Sequence, residues 1–110
     1  MKLKKVPDLI ECRIINQCAR YNEIELRNVL VTNLMSQVLF SEDDEQLLIT
    51  SLASEQVLRT ADIVGLKAVI LADNKPILPS MIELAKEFDI TLFSTKLSSE
   101  KVKEKLGALA

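Results

Sequence analysis

Residues 60–95, TADIVGLKAVILADNKPILPSMIELAKEFDITLFST, decide the fold of this chain. The run KAVIL (67–71) is too short for a buried helix and is nearly continuous in apolar side chains, as in a strand covered on both faces. Ahead of it, residues 54–64 place Val57, Leu58, Ala61 and Val64 on one helical stripe. Ser54 supplies an N-cap there and Gly65 a stop, because glycine takes positive φ without a Cβ penalty. Beyond the strand, residues 80–88 carry Met81, Leu84, Ala85 and Phe88 at helical spacing. Ser80 and Glu83 are spaced as a capping box, with Pro79 just before them at the start of that helix. Asp89 stands where glycine would normally end the helix, and aspartate tolerates the left-handed region better than most residues. ITLFS (90–94) then reads as another strand.

The same alternation extends outward. NVLVT (28–32) and QLLIT (46–50) read as strands on either side of a short helix over 34–40, and a last helix covers 99–106. Ser98 caps that last helix, Leu97 staples onto Val102, and Gly107 ends it. Strands separated by helices need crossover connections, and right-handed crossovers build a mainly parallel sheet. The expected fold is therefore α/β, a single three-layer domain over residues 1–110 with a mainly parallel sheet flanked by helices. Residues 1–27 are less regular: 3–12 read as a helix interrupted near Pro7, and 13–18 as a strand.

Composition excludes several function classes. A length of 110 residues bounds one domain, and 48% hydrophobic with 27% charged residues argues against disorder. Fourteen Lys+Arg against sixteen Asp+Glu, with no block of five like charges and four scattered aromatics, leaves no nucleic-acid footprint. With glycine only at 65 and 107, no phosphate-cradling loop exists. The absence of histidine removes the usual general base, the Ser-His and Cys-His pairs and the commonest zinc ligand. Glu42, Asp43, Asp44 and Glu45 read as a solvated turn, lacking the alternating ligands and glycine of a calcium loop. Cys12 and Cys18, separated by five residues, do not have metal-ligand spacing and read as reduced, structural thiols. Neither a metal nor a cofactor is expected. No apolar segment follows the lysines at 2, 4 and 5, and no run approaches a membrane span, so the expected location is cytoplasmic with no membrane association.

In open parallel sheets, ligands sit beyond the carboxyl ends of the strands, where helix N-termini converge. Here those ends carry Thr32 and Asn33, Thr50 and Ser51, Asp73 and Asn74, and Ser94 and Thr95, all able to hydrogen-bond a small ligand. The same residue types also cap strands and helices in sheets that bind nothing. Asp73 is the lone carboxylate at such an end, and Ser51 or Ser94 has no histidine to activate it, so the chain is not expected to be an enzyme. Asp62, in a helix, reads as an exposed position, with partial burial the other possibility. Leu34, Met35, Val38, Leu39 and Phe40 crowd one short helix, which is then either deeply buried or meets a partner, and a homodimer is expected.

From about residue 29 to residue 106 the chain resembles the DRTGG domain family. VTNLMSQVL (31–39), LLIT (47–50) and residues 60–95 carry the resemblance, the segment from the helix end ELAKEFDI to LFST most specifically. The resemblance implies a non-catalytic α/β regulatory domain, commonly dimeric, found beside CBS domains in some pyrophosphatases and ahead of some phosphate acetyltransferases. It also implies kinship with the N-terminal domain of HPr kinase/phosphorylase. Where the family has Asp-Arg-Thr this chain has Ser51, Leu52 and Ala53; where it has Gly-Gly, this chain has Asp73 and Asn74; Ser94 and Thr95 are kept. Thr32 and Asn33 stand before the first helix in place of a glycine–acid pair. The expected function is a regulatory and interaction module acting as a homodimer or with a protein partner. The alternative is a sensor of a nucleotide or phosphorylated metabolite at the strand ends. An Asp73-dependent hydrolase or transferase comes a distant third.

Overall fold

A computed structural model describes residues 1–41 and 43–107. A 3-10 turn (Leu3–Lys5) runs into α1 (Val6–Leu9), followed by β1 (Arg13–Asn16), β2 (Asn28–Val31), α2 (Met35–Phe40) and β3 (Gln46–Thr50). The chain continues through α3 (Glu55–Val64), β4 (Ala68–Leu71), α4 (Pro79–Glu87), β5 (Thr91–Ser94) and α5 (Ser99–Lys105). The five strands form one sheet in the order β1-β5-β4-β3-β2. β2 to β5 are parallel neighbours, and β1 runs antiparallel to β5 at one edge.

Every residue of β3 and β4 is buried, which explains their unbroken apolar character. The two-residue period of the strands sends Leu47, Ile49, Ala68, Ile70 and Phe93 to one face, and Leu48, Val69, Leu71 and Leu92 to the other. α2, α3 and α4 cover the second face through Met35, Val38, Val57, Leu58, Ala61, Met81, Leu84 and Ala85. This one-sidedness follows from topology. Strands added in a single direction with crossovers of one hand place every crossover helix on the same side. The first face is left to the two ends of the described chain: Leu3, Val6 and Ile10 before β1, and Val102 of α5 with Leu106 just after it. Tyr21 closes it, its ring tilted against Phe93 at 6.5 Å between centroids.

Local expectations are met in most places and corrected in three. Ser54 caps α3 by accepting from the Gln56 N–H, and Gly65 ends it at φ 81°. Ser98 caps α5 by accepting from the Lys101 N–H. Asp89 sits at φ 57° after α4 and accepts the Ala19 N–H on its carboxylate. Ser80, however, is not a cap. The N-cap is Leu78, without a side-chain bond, and Pro79 occupies the first helical position, where its fixed φ and missing N–H fit. Pro7 likewise starts a helix rather than interrupting one, because it falls in the first turn of α1.

Residues 17–18 leave β1 because the Thr91 hydroxyl takes the Cys18 N–H and the Asn16 amide donates to the Ile90 carbonyl. Cys12 and Cys18 are both free thiols. No helix among the described residues is long and apolar enough to cross a membrane. Glu42, in the acidic run, lies outside the described residues.

Candidate functional site

The carboxyl ends of β2 to β5 share one edge of the sheet, and the eight polar residues there fall into two groups. In the first, the Asn33 amide ties two strand ends together. Its oxygen accepts from the Thr50 hydroxyl at 2.9 Å and the Ser51 N–H at 2.8 Å, and its nitrogen donates to the Ser51 hydroxyl at 2.8 Å. Thr32 accepts the Leu34 N–H on its hydroxyl, shaping the turn into α2. These bonds engage the side chains of Thr32, Asn33, Thr50 and Ser51 with one another and with the backbone.

The second group lies at the ends of β4 and β5. The loop after β4 leads to α4 on one face, and the loop after β5 leads to α5 on the opposite face. A cavity of about 540 Å³ opens between the end of β5 and the segment entering β1, lined by Glu11, Cys12, Arg13, Asn74, Ser94, Thr95, Lys96 and Leu97. Its walls are stitched by backbone bonds from Asp73 to the Leu97 carbonyl (2.8 Å) and from Asn74 to the Thr95 carbonyl (3.0 Å). The Thr95 hydroxyl donates to the Glu11 carbonyl at 2.7 Å, fixing the segment before β1 against the end of β5.

Three of the eight strand-end residues, Asn74, Ser94 and Thr95, therefore line this cavity; the Asn33 group does not. Asp73 is beside it, its carboxylate facing the Ser99 hydroxyl at 3.5 Å. Glu11, Cys12, Arg13 and Lys96 were not expected. Glu11, Cys12 and Arg13 arrive because β1 is antiparallel, which brings its first residue, Arg13, opposite Ser94 at the carboxyl edge. Lys96 was within sight in the sequence, two residues beyond Ser94.

Two cations and one carboxylate give the cavity a positive bias, and neither Arg13 nor Lys96 is in an ion pair among the described residues. Burial pushes the Cys12 thiol up from its ordinary value, keeping it protonated and a poor nucleophile. No group of three or more Cys, Asp or Glu among the described residues is placed to hold a metal ion.

The five side chains expected at an interface divide. Met35 and Val38 are buried against α3 and the sheet, whereas Leu34, Leu39 and Phe40 are 60%, 49% and 87% exposed. Asp62 is exposed on α3.

A four-stranded parallel sheet in sequential order with an antiparallel edge strand defines a three-layer α/β fold similar to that of a DRTGG-containing structure. A crystal structure with this fold is that of the CBS and DRTGG domains of the regulatory region of a Clostridium perfringens pyrophosphatase, complexed with its activator diadenosine tetraphosphate. The two superpose with a TM-score of 0.78 at 17% identity, over 96% of this chain and 45% of that one. At that identity the likeness is one of fold, and this chain spans under half the length of its neighbour. No family model matches the sequence, and no curated protein matches it.

Proposed function

We propose that this chain is a non-catalytic regulatory module that senses a small anionic effector, a nucleotide or phosphorylated metabolite, in the cavity between β5 and β1. The observation that carries this reading is the crevice itself. Arg13 and Lys96 flank Asn74, Ser94 and Thr95, so cations and neutral hydrogen-bonding groups converge on one opening. Such a site favours phosphate oxygens, which accept charge-assisted hydrogen bonds from guanidinium and ammonium groups. The structural neighbour is a regulatory region complexed with a dinucleotide activator, and the present reading carries that kind of role to this chain. Asp73 has a serine rather than a base beside it, and the Cys12 thiol is held protonated, which accords with sensing rather than turnover. The exposed Leu34, Leu39 and Phe40 supply a route for output, through a second copy of the chain or a protein partner. Two free thiols accord with a reducing, cytoplasmic setting.

Thermal unfolding and calorimetry with adenosine, AMP, ATP and diadenosine tetraphosphate test the sensing role. A phosphorylated compound at 100 times its dissociation constant should stabilise the fold by about 2.7 kcal/mol. Adenosine should have no effect, and Arg13→Ala or Lys96→Ala should weaken binding about tenfold or more. Because Cys12 lines the cavity, bound effector should also slow its alkylation. No stabilisation by any phosphorylated compound, or equal binding by the double alanine variant, overturns the reading.

A further inference from the structure

The two edges of the sheet are treated differently. β1 carries a charged residue, Arg13, and a register irregularity between Ile14 and Asn16, both of which discourage pairing with another chain. β2 carries neither: its sequence is NVLV, and among the described residues no strand pairs with its outer side. It also begins the longest uncharged stretch in the chain, the fourteen residues 28–41, which runs through α2 to Ser41. The exposed Leu34, Leu39 and Phe40 belong to that stretch. An edge strand without charge, proline or bulge lacks the usual protections of a free edge.

The backbone parity of β2 specifies what fits. The Thr32 N–H bonds to the Ile49 carbonyl, and Leu30 is in register with Leu48. Within a strand, successive residues turn their backbone groups to opposite sides, so Leu30 faces β3 with its N–H and C=O while Val29 and Val31 face outward. A two-fold axis through Leu30 makes this edge complementary to itself. Val29 of each copy meets Val31 of the other as hydrogen-bonded pairs, giving about four intermolecular backbone bonds, and Leu30 meets the partner's Leu30 as the closer, non-hydrogen-bonded pair. Shifting the axis by one residue, onto Val29, would set Val31 against Arg27, whose N–H is already given to the Glu45 carbonyl. Leu30 lies on the α2 face of the sheet, so the exposed flank of α2 would extend the same contact. The contact places no like charges together, because residues 28–41 contain none.

We infer that two copies of this chain join through antiparallel β2–β2 pairing about an axis at Leu30, forming one continuous ten-stranded sheet with α2 packed across the seam. This rests on the association part of the proposed function and specifies which surface and which partner carry it.

Light scattering of the full chain between 10 and 200 µM should give a dimer mass at the upper concentrations. Val29→Pro removes an outward N–H while leaving the β3 ladder intact, and Phe40→Lys changes only an exposed side chain; each should return the chain to monomer. In a Cys12→Ser background, Leu30→Cys should form an intermolecular disulfide under mild oxidation, because its Cα would face its counterpart at about 4.5 Å. Asn28→Cys, set opposite the partner's Thr32, should not cross-link. A monomer at every concentration overturns both the edge pairing and association with a second copy. A dimer that Phe40→Lys dissolves, but that survives Val29→Pro and fails to cross-link at 30, overturns the edge pairing and leaves association through α2 standing.

Discussion

Asp73 and Asn74 carry the turn after β4 at φ of 63° and 54°, conformations that glycine adopts freely and that aspartate and asparagine tolerate at modest cost. Both residues put side chains into the turn where glycines would leave open space. Asp73→Gly and Asn74→Gly should each leave stability within about 1 kcal/mol, whereas Asn74→Val, β-branched at positive φ, should cost more than that. Urea midpoints distinguish the two outcomes. Gly65→Ala meets the same penalty at φ 81°, although the added Cβ would lie at an ordinary 3.6 Å from Asp44, so about 1 kcal/mol of backbone strain is expected. Asn33 matters for a different reason. Asn33→Ala leaves the fully buried Thr50 hydroxyl and the Ser51 N–H without their acceptor, an expected loss of about 1–2 kcal/mol in the same assay. Glu25 responds to pH: its hydrogen bond to the N-terminal ammonium, then the charges of that group and Lys2, hold its carboxyl below the ordinary value. A lowered folded-state pKa gives stability that is present above the unfolded value and lost as pH falls through the folded one. Glu25→Gln should therefore flatten the acid limb of a pH–melting curve.

At the scale of elements, capping separates real helix starts from apparent ones. Ser54→Ala and Ser98→Ala each remove a side-chain acceptor at a helix N-terminus and should cost about 1 kcal/mol. Ser80→Ala should change stability by less than about 0.5 kcal/mol, because Pro79 already begins α4 and Ser80 caps nothing. The capping box at Ser80 was legible as a pattern, but the pattern has a competitor one residue earlier whose fixed φ decides where the helix begins. α2 shows a second limit of the linear reading. Its apolar positions are plain in the sequence, yet only packing against α3 divides them into buried Met35 and Val38 and exposed Leu34, Leu39 and Phe40. Met35→Ala should accordingly cost about 2–3 kcal/mol in monomer stability. Leu39→Ala should cost little and act on association instead.

For the whole molecule, strand order sets both the layers and the crevice. Sequential parallel strands place α2, α3 and α4 on one face, and α5 crosses to the other. Dimerisation, if coupled to folding, makes the melting temperature rise with protein concentration, and a melting series from 5 to 200 µM should show it. Val29→Pro should abolish that dependence. The sequence by itself determined the α/β alternation, the identity of the buried strands, the caps at Ser54 and Ser98, and the left-handed position at Asp89. These depend on neighbours within a few residues or on a strand's own two-residue period. The tertiary structure alone decided that β1 joins β5 antiparallel, bringing Glu11, Cys12 and Arg13 to Ser94, and that β2 is left at an unprotected edge. Such placements depend on contacts across some 80 residues of chain, whose free energy is spread over the two cores and leaves no local signature in either segment.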